Sequence, residues 1–377
     1  MNILVINCGS SSIKYQLFCM EKNQSLVSGI AEKIGSEGSG ITHKKGDKCY
    51  KAKLELNDYF TAIEKISQLL TDPVWGAVNS KEDIQAIGHR VVHGGEEFKT
   101  SVIIDKHVLE RIKFYSSLAP LHNPPAYNGI QATQKIFPEV KQVAVFDTAF
   151  HQTMPEEAFM YGLPYKLYTK YCIRRYGFHG TSHRYVSSAA AKILKRPLNK
   201  LKLITCHLGN GCSITAVKNS CSVDTSMGFT PLEGLMMGTR CGDIDPALIS
   251  YIMEKEKLSA EQVGQMMNSK SGLLGISGIS NDMRDLLEHA ENGHKQAKLA
   301  IDMFIYKVKK YIGAYIAAMN GADAIVLTGG IGENMPLVKQ RLVKELRNLM
   351  GKKMKMLIIH TEEEHLIALD TFELIKR

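Results

Sequence analysis

Two β-hairpin patterns, about two hundred residues apart, constrain this fold more than any other feature of the sequence. In the first, the apolar segment Ile3–Asn7 leads through a Gly-Ser-Ser-Ser turn into the alternating segment Ile13–Phe18. In the second, Leu203–His207 leads through Gly209–Gly211 into Ser213–Val217. An apolar run, a glycine turn and a second alternating run are typical of a β-hairpin. The repetition predicts two related halves that arose by duplication.

The chain between and after the hairpins mixes strands with helices. Gly9 corresponds to Gly209 and Asn7 to His207, and 377 residues suit two domains better than one core. Further apolar strands are predicted at 86–92 and 143–147. Helical periodicity is found in six segments: Tyr59–Leu70, Lys106–Leu118, His183–Leu194, Ala247–Lys255, Ser259–Ser269 and Gly293–Met319. The order predicts an α/β protein with mixed sheets flanked by helices.

The segment Met227–Pro246 is too rich in glycine for a helix and too poor in β-branched residues for a strand. It nevertheless carries Arg240, Asp243 and Asp245 among apolar residues. Ordering such a loop costs about 1–2 kcal/mol of backbone entropy per residue, so a long ordered loop is more often a site than a spacer. The planar guanidinium of Arg240 suits phosphate or carboxylate groups.

A third glycine-rich segment follows the apolar run Ala324–Thr328. It is predicted to form a turn over Gly329–Asn334, after which Pro336 opens a helix that continues to Leu349. Such a strand, turn and helix would leave backbone N–H groups free for an anion beside the positive end of the helix.

Several charged residues stand where a strand or loop presents them. Arg90 leaves a strand before two glycines, as either an edge charge or a substrate ligand, and Asp147 ends the run Val143–Phe146. Asp147 could orient Arg90 or His179, hold metal-bound water, or cap a helix, because ligands gather at the carboxyl ends of strands in open sheets. His179 lies in a glycine-rich loop before a helix, where a histidine is presented rather than packed.

Composition argues against several other classes of protein. The net charge is +9, but basic and acidic residues are interspersed, so nucleic-acid binding is not predicted and an anionic small substrate is an alternative use of the charge. The N-terminus lacks the features of a signal peptide, and no segment is apolar enough to span a membrane. Eight cysteines without Cys-x-x-Cys spacing predict reduced thiols and a cytoplasmic location rather than a zinc site.

Taken together, these motifs resemble the acetate kinase family, within the superfamily of sugar kinases, Hsp70 and actin. The resemblance extends along essentially the whole chain, from the Asn-Cys-Gly-Ser-Ser-Ser segment at 7–12 to residues 367–371. It is carried by segments 177–183 (Gly-Phe-His-Gly-Thr-Ser-His), 207–211 (His-Leu-Gly-Asn-Gly), 225–234 (Thr-Ser-Met-Gly-Phe-Thr-Pro-Leu-Glu-Gly) and 271–277 (Ser-Gly-Leu-Leu-Gly-Ile-Ser).

The resemblance implies two ribonuclease-H-like domains, residues 1–150 with 365–377 and residues 151–364, with the active-site cleft between them. It implies transfer of a phosphoryl group from ATP to acetate, giving ADP and acetyl phosphate, with Mg²⁺ or, as an alternative, Mn²⁺. The transfer is predicted to be in-line, without a phosphoenzyme, because acetate is already ionised near neutral pH. A homodimer is also implied.

Roles for individual residues follow from the same resemblance. Arg90 and Arg240 would flank the transferring phosphoryl group, His179 would contact it, and Asp147 would position the arginines and the metal. Asn7 and Glu363 would bind Mg²⁺ or its waters, and Arg90, Val92, Leu121, Phe178 and Pro231 would form the acetate pocket. The nucleotide would be held by Ser10, Ser12, Lys14, His207, Leu208, Gly209, Asn210, Gly211, Asp282, Met283, Arg284, Gly330, Ile331, Gly332 and Asn334.

The sequence departs from the family pattern at a few places. Cys8 stands where serine is usual, Cys212 and Cys241 adjoin proposed site residues, and His365 and Leu369 differ in the last helix. These cysteines are either inert small residues or thiols that make activity sensitive to oxidation. The segment between Leu349 and Met356 is shorter than in relatives, which affects the alignment of Glu363.

Three alternatives remain at this stage. Propionate or butyrate could be the acceptor, because one methylene is worth only about 1–3 kcal/mol in an apolar pocket. Pyrophosphate could replace ATP, although the small Gly330-Ile331 pair leaves room for adenosine. An actin- or Hsp70-like switch would share the phosphate hairpins but would hydrolyse ATP without acetate.

Overall fold

The computed structural model describes residues 1–351 and 353–376. The strands are β1 Asn2–Cys8, β2 Ser12–Cys19, β3 Gln24–Glu32, β4 Gly40–Lys45, β5 Lys48–Lys53, β6 Ile84–Val91, β7 Val102–Ile103, β8 Lys141–Phe146, β9 Lys202–Leu208, β10 Cys212–Lys218, β11 Cys221–Thr225, β12 Ala324–Thr328 and β13 Lys355–Ile358. The helices are α1 Tyr59–Leu70, α2 Lys106–Phe114, α3 Asn123–Ile136, α4 Glu156–Phe159, α5 Lys166–Tyr171, α6 Gly180–Leu194, α7 Ala247–Glu256, α8 Ala260–Ser269, α9 Gly272–Ser277, α10 Met283–Glu291, α11 Lys295–Ala318, α12 Gly329–Asn334, α13 Pro336–Glu345, α14 Arg347–Met350 and α15 Glu363–Lys376.

The chain divides into two compact units. Unit 1 comprises residues 1–150 and the segment from residue 362 onward, and unit 2 comprises residues 151–361. The family resemblance predicted residues 362–364 to lie in the second domain. They belong to unit 1 because α15 begins at Glu363 and packs Ile367 and Ala368 against Ile3, Val5 and the strands beside them.

Each unit is built on a mixed sheet with the same central order. In unit 1 the order is β5-β4-β3-β2-β1-β6-β8-β7, and in unit 2 it is β11-β10-β9-β12-β13. In both, a hairpin (β1 with β2, β9 with β10) is followed by a strand parallel to the first strand of that hairpin. The predicted hairpins, the α/β class and the mixed sheets are therefore confirmed.

Alternation within the hairpins fixes their register. Asn7 pairs with Lys14 across the first hairpin, and His207 pairs with Ser213 across the second. The α1 helix begins where it was predicted, because the Asp58 carboxylate accepts from the backbone N–H of Thr61 at 2.8 Å and caps the first turn.

Three predicted elements differ from the structure. The helix predicted over 106–118 ends at Phe114 and continues as a 3₁₀ turn, and the helix predicted to reach Leu349 ends at Glu345 before α14 begins. Gly329–Asn334 forms the short helix α12 rather than a turn. Its first residue, Gly329, has φ +78°, and a Cβ there would lie 2.8 Å from the Leu208 carbonyl oxygen. Glycine is therefore needed for β12 to pass close to β9.

Among the described residues, none of the helices combines the length and apolar character that a membrane crossing requires.

Candidate functional site

The turn of the first hairpin is held from behind by a tyrosine at the start of α1. The Tyr59 hydroxyl donates to the carbonyl oxygens of Gly9 at 2.6 Å and Ser10 at 3.1 Å. Ser10 is exposed, and Asn7 and Lys14 face each other near the turn end of the β1–β2 ladder. Because the two carbonyls point toward Tyr59, the turn is fixed in one conformation and its serines face solvent.

Arg90, Asp147 and Glu363 form a charged group in unit 1. Asp147 follows β8, is 1% exposed and accepts from Arg90 Nε at 3.1 Å and from Nη2 at 2.5 Å. The Glu363 carboxylate lies 3.7 Å from the same Nη2. Burial alone would lower the pKa of Arg90, but the charges of Asp147 and Glu363 outweigh it and raise that pKa. No described residue accepts a hydrogen bond from Nη1, so this nitrogen is available to a ligand.

Glu363 has an unusual environment for a glutamate. Burial is the largest cause that raises its pKa to about 7, and the charges of Asp147 and Glu364 add to the rise, whereas Arg90 and Lys14 oppose it. An added cation would relieve this crowding of negative charge. The described residues contain no cluster of three or more His, Cys, Asp or Glu arranged for a metal. One or two carboxylates with an amide oxygen nevertheless fit Mg²⁺, which keeps waters and binds substrate phosphates.

His179 occupies a strained position at the start of α6. It is the residue before Gly180 and adopts the left-handed conformation, with φ 57°. Non-glycine residues rarely adopt this conformation, and such strain clusters at functional sites. The His179 ring stacks on His207, with ring centroids 4.3 Å apart, so the end of β9 and the start of α6 present two imidazoles together.

The second glycine turn brings His179 and Arg240 to one point. A methyl group placed on Gly211 would lie 3.5 Å from His179 Nε2 and 3.6 Å from Arg240 Nη1. The turn is closed by a hydrogen bond from the Gly209 N–H to the Gly211 carbonyl at 3.1 Å. Two side-chain donors and a bare backbone turn therefore converge within unit 2, as an anion site requires.

Arg240 differs from Arg90 in its partners. Its Nη1 donates to the Pro231 carbonyl at 3.2 Å, and no carboxylate in the described part of unit 2 forms an ion pair with it. Burial lowers the pKa of Arg240 because the charged form loses solvation. A half-buried guanidinium with neutral partners is suited to binding an anion.

The Met227–Pro246 loop contains no helix or strand, as predicted. Its two aspartates stabilise the loop itself: Asp243 accepts from the Gly234 N–H and the Tyr311 hydroxyl, and Asp245 accepts from the Ala247 N–H at the start of α7. The carboxylates of Asp243 and Asp245 therefore stabilise the conformation of the loop on which Arg240 lies.

A cavity of about 440 Å³ lies beside the second hairpin turn in unit 2. Eight of the residues predicted to bind nucleotide line it: Gly209, Asn210, Asp282, Met283, Arg284, Gly330, Ile331 and Asn334. Its size suits a nucleoside or other small ligand. Of the other predicted residues, Leu208 and Gly332 are buried. His207 stacks on His179, and Gly211 lies near His179 and Arg240.

Asp282 and Arg284 combine both of the roles considered for them. Asp282 caps α10 by accepting from the Arg284 N–H at 2.8 Å, and its side chain pairs with the Arg284 guanidinium at 2.6 Å. The hydrogen bond from Arg284 is the largest cause that lowers the pKa of Asp282 to about 2. Both residues also line the cavity.

One of the backbone donors predicted at the start of α12 is not free. The Glu333 carboxylate accepts from the Gly329 N–H at 2.8 Å and from the Thr328 hydroxyl at 3.1 Å. Glu333 also binds His360 at 2.5 Å. The prediction is wrong for Gly329, because an acidic side chain from the same helix occupies its N–H.

The four apolar residues predicted to surround an acid differ in exposure. Val92 and Pro231 are partly buried, Phe178 is 2% exposed and Leu121 is 67% exposed. Val92 follows β6 two residues after Arg90, and the Pro231 carbonyl binds Arg240. Each unit therefore carries an apolar side chain next to one of the two arginines.

The structure favours inert cysteines over reactive ones. All eight thiols are free, and burial raises the pKa of both Cys8 and Cys212 to about 12. Burial also raises the pKa of Cys241. A thiol is nucleophilic as the thiolate, so these environments suppress reactivity at neutral pH.

Sequence reasoning missed three supporting residues. Tyr59 holds the first turn, Asn281 donates to the Asn210 side chain at 2.9 Å, and Gly238 donates its N–H to the Asn210 carbonyl at 3.0 Å. A Cβ on Gly238 would lie 2.0 Å from Asn210 Oδ1, so glycine is required there. None of the three has a motif signal, because their contacts join residues distant in sequence.

Comparison with known proteins identifies relatives that match the whole length of this chain. Residues 2–354 match the model of the Acetokinase family. The chain is 50% identical over 397 residues to an acetate kinase of Clostridium novyi, covering 100% of this chain and 99% of that one. It is similar to the crystal structure of Porphyromonas gingivalis acetate kinase (TM-score 0.94, 42% identity, 99% of both chains). It is also similar to a propionate kinase from Francisella tularensis (TM-score 0.93, 45% identity, 99% of both chains).

Proposed function

Because this chain belongs to the acetokinase family, we propose that it transfers the γ-phosphoryl group of ATP reversibly to acetate, forming acetyl phosphate and ADP. The observation that carries the proposal is the convergence of Arg240 and His179 beside the Gly211 turn. A guanidinium without a carboxylate partner, a histidine and a glycine turn are suited to an anionic group that is transferred rather than permanently bound.

Arg90 and Arg240 supply positive charge in different ways. Asp147 holds Arg90 through Nε and Nη2, so that Nη1 is preorganised to contact a phosphoryl oxygen. Arg240 has no carboxylate partner in the described part of unit 2, and it contacts the phosphoryl group as its anionic partner. Because charge spreads over the equatorial oxygens of a transferring phosphoryl group, two fixed cations stabilise the transition state more than the ground state.

His179 donates a hydrogen bond from Nε2 to the phosphoryl group, and the acetate carboxylate attacks in line. Acetate has no proton to lose near neutral pH, so no general base is needed and no phosphoenzyme forms. The nucleotide occupies the cavity between the second hairpin turn, α10 and α12. A cavity of that size supports ATP over pyrophosphate as the phosphoryl donor.

Asn7 and Glu363 are the residues that would hold a divalent cation, and the crowded negative charge around Glu363 supports this assignment. A divalent cation held by these residues would neutralise negative charge that develops on the leaving group. Asp147 contributes by keeping Arg90 beside Glu363.

Acetate is the proposed acceptor, with slower use of propionate. Val92, Leu121, Phe178 and Pro231 are the proposed surroundings of the methyl group. One additional methylene changes transition-state binding by about 1–3 kcal/mol, so discrimination against propionate should be about 10- to 200-fold. The likeness to a propionate kinase at 45% identity supports this overlap.

A hydroxamate assay with Mg-ATP and acetate, propionate or butyrate at matched concentrations tests the function. We expect the largest acyl phosphate signal with acetate. No acyl phosphate from any acid, together with ATP hydrolysis that is independent of acetate, would replace the kinase by an ATP-driven switch.

Mg²⁺ affinity should depend on pH through Glu363. Because the pKa of Glu363 is raised to about 7, its proton competes with the cation below that pH. The Mg²⁺ concentration for half-maximal activity should therefore rise about tenfold from pH 8 to pH 6. Glu363→Gln should bind Mg²⁺ weakly at both pH values, whereas Glu373→Gln, on the exposed side of α15, should behave as wild type. If the Mg²⁺ concentration for half-maximal activity were the same at pH 8 and pH 6, the assignment of Glu363 as a metal ligand would be contradicted.

We propose a homodimer that covers α7. This ten-residue helix buries none of its own residues, and Leu248, Ile249 and Tyr251 on it are exposed together with Ile244 just before it. Stable homodimer interfaces are apolar, and a second copy of this chain would remove these side chains from water.

Sedimentation should give about twice the chain mass of 41.9 kDa for wild type. Leu248→Asp combined with Tyr251→Asp should give monomers, because two charges would be buried at the interface. Val74→Asp, at an exposed apolar residue of unit 1, should leave the dimer intact. A wild-type monomer at micromolar concentration would overturn the proposal.

The eight free thiols support a reducing compartment, and we propose a cytoplasmic location. Nucleic acid and membranes are not proposed as partners.

A further inference from the structure

A line of polar groups runs from the interior of unit 2 to His179. Thr205 Oγ1 lies 2.7 Å from His183 Nδ1, His183 Nε2 lies 2.7 Å from Ser213 Oγ, and Ser213 Oγ lies 2.9 Å from His179 Nδ1. Thr205 and Ser213 come from the paired strands β9 and β10, and both histidines come from the start of α6. Thr205, His183 and Ser213 are fully buried.

His183 can take part only as a neutral ring. Burial, followed by the nearby His151 and His207, lowers its pKa well below the usual value. A neutral imidazole has one N–H donor and one bare nitrogen acceptor. Since both ring nitrogens of His183 are engaged, one must donate and the other must accept.

Thr205 can complete the line in two ways. Its hydroxyl can donate to His183 Nδ1 at 2.7 Å, or it can accept from that nitrogen and donate to the Thr215 carbonyl at 3.4 Å. For a neutral His179, only the first arrangement leaves a proton on the ring nitrogen that lies beside the Gly211 turn, as donation to an anion there requires. If Thr205 donates to Nδ1, His183 carries its proton on Nε2 and donates to Ser213, and the Ser213 hydroxyl then donates to His179 Nδ1.

We propose that the chain Thr205–His183–Ser213 makes Ser213 and His183 positioning residues that hold His179 neutral, with its proton on Nε2. This inference deepens the proposed function and rests on it, because Nε2 is the nitrogen that lies beside the Gly211 turn and Arg240 Nη1. His179 thus donates a hydrogen bond to the phosphoryl group without carrying a charge of its own.

Protonation of His179 would require every donor in the line to reverse. Ser213 would have to accept from Nδ1, His183 would have to move its proton to Nδ1, and Thr205 would have to turn its hydroxyl toward the Thr215 carbonyl, 3.4 Å away. Among the described residues of unit 2, the stacked His207 and Arg240 also face the ring, and the positive charge of Arg240 disfavours a second cation.

The test is NMR of the folded full-length protein labelled at histidine, with the His179 signals identified by their loss in His179→Gln. The expected result is the Nε2–H tautomer of His179 in wild type at pH 7.5. In Ser213→Ala the midpoint of the His179 titration should move to higher pH by about half a unit or more, because a bond to the neutral ring is lost.

Kinetics provide a second readout. In Ser213→Ala, kcat should fall about tenfold while KM for acetate stays within about twofold, because the ring is no longer held in one orientation. Ser187→Ala is the matched control: it removes a buried serine hydroxyl from α6 that donates to the His183 carbonyl and touches neither ring. It should leave both the tautomer and the titration unchanged.

Two results would overturn the inference: an Nδ1–H tautomer or an imidazolium in wild type at pH 7.5, or a titration midpoint that falls in Ser213→Ala. A drop in kcat that accompanies an unchanged His179 titration in Ser213→Ala would also overturn it, since it would indicate packing alone. Failure of the proposed function is distinguishable, because wild type would then make no acetyl phosphate whatever the tautomer of His179.

Discussion

Replacing Arg240 by alanine should lower kcat by about a thousandfold or more, with a much smaller change in KM for ATP. The reason is the partner that Arg240 lacks: its Nη1 binds the Pro231 carbonyl, and no carboxylate in the described part of unit 2 neutralises it. Its charge is therefore available to the transferring phosphoryl group, and an arginine in that role is worth about 10³–10⁵ in kcat. Steady-state kinetics of acetyl phosphate formation measure the loss.

Two further variants make the Arg240 result specific. Arg240→Lys should recover only part of the activity, because an ammonium group does not reproduce the planar donor set. Arg196→Ala removes an arginine of unit 2 that pairs with Asp323 at the surface, and it should retain full activity. A loss of less than about tenfold in Arg240→Ala, worth roughly 1.4 kcal/mol, would exclude a direct role.

Replacing Arg90 by alanine should cost a similar factor in kcat and should also destabilise unit 1. Asp147 is 1% exposed, and removing Arg90 breaks this buried ion pair, which typically costs about 3–5 kcal/mol. Thermal unfolding and steady-state kinetics on the same preparation separate the two effects.

The destabilisation in Arg90→Ala should grow as pH rises. Arg90 lowers the pKa of Glu363, so its removal raises that pKa above about 7. An acid whose folded pKa is raised contributes stability at low pH and loses it as pH rises through that pKa. The difference in unfolding free energy between wild type and variant should therefore be larger at pH 8 than at pH 6. Arg111→Ala, which breaks an exposed pair with Glu97, should show neither effect. A kcat within tenfold of wild type would contradict the role of Arg90.

The hairpins and their glycine turns were predictable because they depend on local pattern. Alternation sets the faces of a strand, and a glycine turn sets the register, so Asn7 opposite Lys14 follows from neighbouring residues. The same is true of α1, whose start is fixed by the Asp58 cap. Residues at the ends of these elements, such as Asp147 after β8, were identified for the same reason.

Contacts between distant segments were not predictable from local pattern. Glu333 takes the Gly329 N–H, which turned a predicted glycine loop into a short helix and removed a donor expected to face a ligand. The sequence also does not reveal that Arg90 pairs with two carboxylates, whereas Arg240 pairs with none in the described part of unit 2. Both depend on tertiary packing, which overrides the local preferences of glycine and arginine.

The shared strand order of the two sheets has an evolutionary consequence. At the carboxyl ends of β6 and β8, unit 1 presents charged side chains, Arg90 and Asp147. In unit 2 the corresponding strand β12 ends at Thr328, followed by Gly329, and Ile359 follows β13. An ancestor with two equal halves would have offered identical chemistry twice. A duplication that produced the two halves would therefore have been followed by divergence, which left ionic groups on one copy and close backbone packing on the other.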